Sequence, residues 1–354
     1  MPTMVNSHET TNSSENARLH GRKMYWVAVT LCIIASVGGR SAGSLLGRYY
    51  FHEGGHSYWL RTLLTSVGSP LLILPLLLNG PTQYSSFPTR SLKIKYLSIC
   101  TLLGILVAAN NFLYSLGFYY LPVSTFSLLC ATQLAFTAVF SIIFVKQRIS
   151  HYVINSLVLI TLGAVLLGIQ AKGERPGGVK SGEYKWGILS TILGSALYGF
   201  IHPLLQFVFK KLEKSSFAMV LETQALICMV ASGVAAVGLM CSGEFKHISK
   251  EAHHFRAGER GYVLTLLWSA ISWQMCVVGT YGLVSMVSSL FSMVVSTLTL
   301  PILPVLALLL FDDKINSLKV IGMVLGIWGF VSYAYGGYQE SKKAEEIPLP
   351  ASPV

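Results

Sequence analysis

The chain has 354 residues, of which 53% are hydrophobic and only 12% charged, and its formal net charge is +11. Soluble domains are about 25% charged, so this composition excludes an ordinary globular surface and indicates an integral membrane protein. The basic residues lie in short clusters between apolar segments, a pattern typical of loops beside a membrane rather than of a nucleic-acid-binding surface. The six cysteines form no CxxC pair. We therefore expect buried thiols, with no disulfide framework, no metal site and no cofactor.

In chain order, residues 1–23 are polar and predict a disordered cytosolic tail. Apolar segments of about 20 residues then predict ten transmembrane helices. Residues 24–170 form the first group of five and residues 186–337 the second, joined by a loop at 171–185 and followed by a C-terminal tail at 338–354. The predicted spans are 24–47, 58–79, 95–118, 122–145, 151–170, 186–209, 219–241, 261–284, 287–311 and 317–337.

The basic residues of the loops favour one orientation in the membrane. With ten spans both termini share a side, and a cytosolic N-terminus places the clusters at 80–95, 146–150 and 210–218 in the cytosol. This follows the positive-inside rule. No sorting signal is visible, and the plasma membrane is the expected location.

The two halves share weak internal similarity. The segment "YYLPVSTFSLL" matches "SMVSSLFSMVV", and further along Gly163 matches Gly329 at nearly the same spacing. Five helices per copy require the second copy to be inverted across the membrane, as in many secondary transporters. The same spacing pairs Asn110 with Gln274, both in the middle of a span. Substrate sites of inverted-repeat transporters lie at this depth.

Amides and aromatic rings at mid-span predict a substrate site. The amides are Asn110, Gln133 and Gln274, and the rings nearest to them in the predicted spans are Tyr114, Tyr198 and Trp273. Rings stack on a flat heterocycle, and amides match its ring nitrogens and exocyclic groups. The alternative is that the amides only hydrogen-bond one helix to another.

One acidic residue, Glu222, is placed inside a span. A carboxyl group at this depth is a candidate proton carrier. It could instead reach the interface or pair with an arginine. Arg40 and Arg61 are the in-span arginines, each a possible partner of this kind, a snorkelling base or a contact for an anionic ligand.

Several motifs resemble those of the plant purine permease family, within the drug/metabolite transporter superfamily. They are "LLGRYYFHEGG", "LYSLGFYYLPVSTFSLLCATQLAF", "ALYGFIHPL", "VLETQ", "SWQMCVVGTYG" and "WGFVSYAYG". The resemblance implies ten helices in two inverted five-helix repeats. It also implies transport of adenine, other purine bases and cytokinins, driven by the proton gradient, with pyridoxine or alkaloids as cargo of some relatives.

The sequence departs from the family pattern at two places. Asn110–Asn111 stand where an acidic residue is expected, and Pro304 stands where many relatives have a glutamate. Both departures remove candidate proton carriers, so coupling falls on Glu222 or transport is facilitative or by exchange. A nucleotide-sugar or organic-phosphate exchanger and, more remotely, a membrane receptor remain as alternatives. No catalytic motif suggests an enzyme, and the oligomeric state stays open.

Overall fold

The protein is built from helices. The computed structural model describes residues 5–68, 90–121, 123–146, 150–169, 181–211, 217–311 and 317–346, and in these ranges all regular secondary structure is helical. The α-helices are α1 (Val5–His52), α2 (Tyr58–Leu64), α3 (Arg90–Tyr120), α4 (Val123–Phe140), α5 (His151–Ile169), α6 (Ser181–Lys211), α7 (Phe217–Cys241), α8 (Ile248–His254), α9 (Gly258–Met286), α10 (Ser289–Thr297), α11 (Thr299–Phe311) and α12 (Ser317–Glu346).

Among the described residues, five helices are long and apolar enough to cross a membrane, and they lie in α1, α3, α6, α7 and α9. Shorter apolar helices occupy Thr132–Val145, His151–Gly163, Ser289–Leu303 and Val320–Gly336. Apolar helices thus stand at nine of the ten predicted positions, as expected for a multi-pass membrane protein, because a helix satisfies its own backbone groups in hydrocarbon. For the predicted span 58–79, α2 covers the start, and residues 69–79 lie outside the described part of the chain.

The ends of several helices differ from the predicted boundaries. Helix α1 begins at Val5, within the segment predicted to be a disordered tail, and α12 continues to Glu346 in the predicted C-terminal tail. An existing helix extends at little cost, because each added residue gains a backbone bond without a new nucleation step. The ninth predicted span is divided at Leu298 into α10 and α11. Helix α4 ends in a π-helical turn, and Lys146 after it has a φ of 52°.

Helices of the first half pack mainly on helices of the second. The most extensive contacts join α1 with α9, α5 with α12, α3 with α6 and α4 with α6. A large part of the buried core lies where α3, α6, α7 and α9 meet, around Cys100, Leu205 and Ile227. The two halves therefore form one interlocked bundle rather than two separate ones.

The contact between α5 and α12 is reciprocal. A Cβ atom built on Gly163 would lie 2.7 Å from the carbonyl oxygen of Gly322, and one built on Gly329 would lie 3.2 Å from that of Ser156. In each case the carbonyl group belongs to a residue about two helical turns before the other glycine in the sequence. As the residue number falls along α5 it rises along α12, so the helices run antiparallel. A contact of this kind has local two-fold symmetry.

A short helical segment connects the start of α9 to the turn between α1 and α2. The Glu251 carboxylate, in α8, accepts hydrogen bonds from the hydroxyl groups of Tyr50 and Tyr262 and from the backbone N–H of His56. Glu244 accepts hydrogen bonds from the Ser57 hydroxyl and from the backbone N–H of Trp59, at the N-terminus of α2. Two carboxylates therefore hold the loop at residues 242–257 against the first half of the chain.

Candidate functional site

Three of the predicted site residues meet at Arg40. Nη1 of Arg40 donates a hydrogen bond to the Tyr198 hydroxyl at 3.3 Å, and Nη2 donates to Oε1 of Gln133, also at 3.3 Å. The Tyr114 hydroxyl lies 3.2 Å from the same Gln133 oxygen and 3.3 Å from Oγ of Ser195. We call Arg40, Tyr114, Gln133, Ser195 and Tyr198 the Arg40 cluster. It joins α1, α3, α4 and α6 in the bundle interior.

The hydrogen bonds fix how the Gln133 amide is oriented. An arginine has no acceptor, so the amide oxygen rather than the NH₂ group must face Nη2 of Arg40. The Ser195 hydroxyl donates to the carbonyl oxygen of Leu129 at 3.0 Å, so the Tyr114 hydroxyl shares its single proton between Oγ of Ser195 and Oε1 of Gln133. The amide NH₂ of Gln133 consequently points away from these groups.

Aromatic rings surround the cluster. The Tyr198 ring lies 6.2 Å from the Tyr114 ring and 4.2 Å from the His202 ring, and the Arg40 guanidinium lies 5.4 Å from the Tyr198 centroid. Tyr114, Tyr198 and Arg40 are each only partly buried, although they sit between helices. Each of these three side chains therefore keeps part of its surface exposed between the helices.

Close approach of α1 to α9 positions Arg40. A Cβ atom built on Gly39 would lie 2.5 Å from the carbonyl oxygen of Ser272, and one built on Gly43 would lie 2.9 Å from Nε1 of Trp273. Because Gly39 has no side chain, the backbones of α1 and α9 approach each other next to Arg40, and Gly43 leaves room for the side chain of Trp273. Trp273, the predicted stacking residue of α9, lies against α1 at Gly43 and is partly buried.

Of the predicted symmetry pair Asn110 and Gln274, Gln274 lies against the turn that follows α2, and Asn110 precedes Asn111, which bonds the same turn. Asn111 donates from Nδ2 to Oγ of Ser66 at 3.2 Å, and a Cβ atom built on Gly68 would lie 2.7 Å from Cβ of Gln274. Asn110 and Gln274 are both buried, each 3% exposed. Within the described residues, Oδ1 of Asn110 and both polar atoms of the Gln274 amide have no hydrogen-bond partner. Buried polar groups without a partner are uncommon in folded proteins.

Glu222 lies elsewhere in the bundle. It is buried on α7 and interacts with Tyr96 and Cys100 of α3. Along α3, Cys100 precedes Tyr114 by about 21 Å. The structure thus brings Tyr114, Gln133 and Tyr198 together. Asn110, Trp273 and Gln274 lie around the contacts of α1, α9 and the turn after α2. Glu222 lies apart from both groups, near the start of α3.

Sequence reasoning noted Arg40 without assigning it to the site. The sequence feature that could have identified Arg40 is its charge: a guanidinium inside a membrane span is costly, so it requires a partner or a function. Arg61 is the second such residue: it is buried, donates to Oγ of Ser115 at 3.4 Å and lies 4.3 Å from the Phe118 ring centroid. In the described part of the chain, the contacts of Arg40 and Arg61 include no carboxylate. Both lie near Cys130.

Known proteins resemble this chain over almost its whole length. A family model described as purine nucleobase transmembrane transport matches residues 27–343. The chain belongs to the purine permease family. "Probable purine permease 11" of Arabidopsis thaliana is 41% identical over 91% of this chain and 86% of its own length, and "Purine permease 21" of the same plant is 39% identical over 100% and 92%. As a member of a family of transporters, the protein is not an enzyme.

The fold is also found among solved structures. One crystal structure superposes with a TM-score of 0.55 at 15% sequence identity, covering 87% of this chain and 98% of that chain. At this identity the similarity concerns the fold alone. The purine permease family and the fold place the Arg40 cluster in the interior of a membrane transporter.

Proposed function

We propose that this protein is a secondary-active transporter of purine nucleobases and purine derivatives, including adenine and zeatin-type cytokinins. The observation that carries the proposal is the Arg40 cluster, which places hydrogen-bonding groups beside two partly buried aromatic rings between the helices of a purine permease family member. Such a combination suits a flat nitrogen heterocycle, because rings supply stacking and amides supply matched hydrogen bonds.

Each site residue has a role in this proposal. Tyr198, with Tyr114 or Trp273, stacks on the ring, while Gln133, Asn110 and Gln274 bind its nitrogens and exocyclic groups. The unpartnered polar atoms of Asn110 and Gln274 support this assignment, because a bound ligand would supply the missing partners. A purely structural amide would be expected to bond a neighbouring helix.

We infer that the two halves are inverted five-helix repeats. The antiparallel reciprocal contact of Gly163 and Gly329 supports this, because these glycines match in the internal repeat of the sequence. The packing of α1 on α9 and of α3 on α6 supports it too, because exchange of the two halves converts one pair into the other. Transport would then follow the alternating exposure of a site between the repeats.

Coupling to protons is assigned to Glu222. Its carboxyl group is buried in the span of α7, where protonation and deprotonation change the cost of burial. His202 is the second titratable group to consider, because its ring contacts Tyr198 and its Nε2 has no partner within the described residues. We place both termini in the cytosol, as the basic loops indicate, and the protein in the plasma membrane, because no sorting signal is visible in the sequence.

Uptake into vesicles tests this function. Proteoliposomes containing the purified protein should take up labelled adenine and trans-zeatin saturably, and faster under an imposed inward proton gradient. Absence of saturable uptake for both compounds would refute the substrate assignment. Saturable uptake that ignores the gradient would refute the coupling alone and leave a facilitative or exchange transporter.

The two arginines without carboxylate contacts favour a second candidate, exchange of nucleotide sugars or other organic phosphates. Phosphate groups pair well with guanidinium donors. Against it, a diphosphate needs several basic groups, and Arg61 is engaged by Ser115 and Phe118. Competition separates the candidates: adenine but not nucleoside phosphates should inhibit adenine uptake if the first is correct.

A further inference from the structure

Aromatic rings from three helices meet at the end of the bundle where α1 and α3 end and α2 begins. The ring centroid of Tyr119, in the last turn of α3, lies 4.7 Å from that of Tyr58 and 5.8 Å from that of Phe51. The Phe51 centroid lies 6.2 Å from that of Phe118. We call Phe51, Tyr58, Phe118 and Tyr119 the outer ring group, because the proposed orientation places this end of the bundle away from the cytosol.

Further ring contacts connect the outer ring group to the Arg40 cluster. The Phe118 centroid lies 4.9 Å from that of Phe126, near the start of α4, and the Phe126 centroid lies 5.7 Å from that of Tyr114. Tyr114 belongs to the Arg40 cluster, where its ring neighbours that of Tyr198. Aromatic rings interact at centroid separations of about 4.5–7 Å. A continuous chain of interacting rings therefore runs from the end of α3 to the predicted substrate site.

The residues of this chain are partly exposed as far as Tyr198 and buried beyond it. The four members of the outer ring group, Phe126, Tyr114 and Tyr198 are all only partly buried. The His202 ring comes next, 4.2 Å from that of Tyr198, and this residue is 2% exposed. Tyr281, which His202 contacts in turn, is 4% exposed. Exposed surface thus accompanies the rings from the end of α3 to the predicted site and ends there.

Arg61 fixes the position of two rings in the outer ring group. Its guanidinium carbon lies 4.3 Å from the Phe118 centroid and 5.9 Å from the Phe51 centroid, over the ring in each case. A guanidinium is attracted to the negative face of an aromatic ring. Because Arg61 is buried and also donates to Oγ of Ser115, these contacts hold the rings in one arrangement. A ligand that stacks at this place meets a preformed surface, which lowers the entropy that its binding costs.

Stacking on aromatic side chains is a general way to bind a flat heterocycle. It tolerates differences between bases, because every base has a π-face. We propose that the outer ring group is a first binding site for planar nitrogen heterocycles, and that the chain of rings leads them from there to the Arg40 cluster. This inference rests on the proposed function as a purine transporter. It gives a role to the motif "LYSLGFYYLPVSTF", which supplies Tyr114, Phe118, Tyr119 and Phe126.

Photolabelling of the wild-type protein locates the first binding site. An azide derivative of adenine reacts on illumination with the side chains beside it. With the purified protein, mass spectrometry should find label at Tyr58 or Tyr119 as well as at the Arg40 cluster, and excess adenine should remove both. Displaceable label at the cluster alone would overturn the inference while leaving the proposed function intact. Absence of any displaceable label would overturn both.

Substitution of Tyr119 tests the route through binding kinetics. A ligand enters and leaves by the same path, so loss of a ring on that path slows both steps and leaves the affinity of the Arg40 cluster unchanged. In Tyr119→Ala, labelled adenine should bind and dissociate at least roughly fivefold more slowly, with a Kd within about twofold of the wild type. Rapid filtration over the immobilised protein measures both rates. An unchanged or higher association rate would contradict the route.

Two further variants separate the route from a structural effect. Tyr119→Phe restores the ring and should recover both rates to within about twofold of the wild type. Tyr335→Ala removes an exposed ring of α12 outside the chain and should bind and release adenine as the wild type does. If Tyr119→Ala instead raises the Kd at an unchanged association rate, Tyr119 supports the structure of the site and the route is refuted. If Tyr119→Ala does not fold, the photolabelling of the wild type decides.

Discussion

Nη2 of Arg40, on α1, donates a hydrogen bond of 3.3 Å to Oε1 of Gln133, on α4. This contact joins two residues of different standing. The sequence predicts the amide of Gln133 in the substrate site, whereas it does not assign Arg40 to that site. Because the bond is charge-assisted, it orients the amide more firmly than a neutral donor would. The groups that a ligand meets at this point are therefore set by Arg40 as much as by Gln133.

Tyr198 should contribute mainly through its ring. In Tyr198→Ala the stacking surface is lost, and affinity for adenine should fall by roughly 5- to 150-fold, the range measured for stacking of a base on an aromatic side chain. Tyr198→Phe keeps the ring and should stay within about threefold of the wild type. Equilibrium binding of labelled adenine to the purified variants measures both effects.

Tyr335→Ala is the control for this pair, because Tyr335 is exposed on α12 and packs on Tyr152 at the surface. Its affinity for adenine should equal that of the wild type. If Tyr198→Ala binds adenine as tightly as Tyr335→Ala does, Tyr198 does not stack on the substrate.

The reciprocal contact between α5 and α12 predicts matched effects on stability. Gly163→Ala and Gly329→Ala each force a methyl group against the opposing backbone and should each lower the free energy of unfolding by about 1–3 kcal/mol. Gly38→Ala is the control, since a Cβ atom there meets nothing within 4 Å. Thermal unfolding in detergent, followed by light scattering or fluorescence, gives the three midpoints. A loss confined to one of the two glycines would argue against a symmetric contact.

Cys241 reports the orientation of the protein in the membrane. It is exposed at the end of α7, whereas the other five cysteines are buried. With a cytosolic N-terminus this end faces away from the cytosol, so a membrane-impermeant maleimide should label intact cells that express the protein at their surface. Cys241→Ser should abolish the labelling. Labelling that appears only after the cells are permeabilised would reverse the predicted orientation or place the protein in an internal membrane.

Glu222 should be needed for the response to a proton gradient. Glu222→Gln keeps the shape of the side chain but cannot release a proton, so uptake of adenine should continue and no longer accelerate under an inward gradient. Glu259→Gln, at an exposed position in the first turn of α9, should keep the full response. A normal response in Glu222→Gln would move the search for the proton carrier to His202.

The hydropathy of the sequence predicts where most helices lie. It does not predict which face of one helix packs on which face of another. Span length follows from bilayer thickness, and nine predicted positions hold apolar helices. The rotation of each helix is set by contacts between distant segments, such as the contact of Gly39 with Ser272. The hydrophobic periodicity of a sequence does not predict this rotation when a helix is apolar all round. The structure brings Tyr114, Gln133 and Tyr198 together and places Arg40, which the sequence does not assign to the site, among them.

Two further features were beyond reach of the sequence. The internal repeat pairs Asn110 with Gln274, but it does not predict that Gln274 and Asn111, the neighbour of Asn110, both meet the turn after α2. Glu222 was noted for its depth, but depth does not tell which helix a carboxyl group faces, and the structure places it near the start of α3. In both cases the missing information is the packing of one helix on another.

Equilibrium binding of labelled adenine to purified Gln133→Ala tests the central claim most directly. The substitution removes the amide at the centre of the Arg40 cluster, and Asn155→Ala, which removes an exposed amide that bonds Ser332 of α12, is the matched control. We predict saturable binding to the wild type and to Asn155→Ala, and an affinity at least roughly tenfold lower in Gln133→Ala. Equal affinity in all three proteins would contradict the placement of the purine site at the Arg40 cluster.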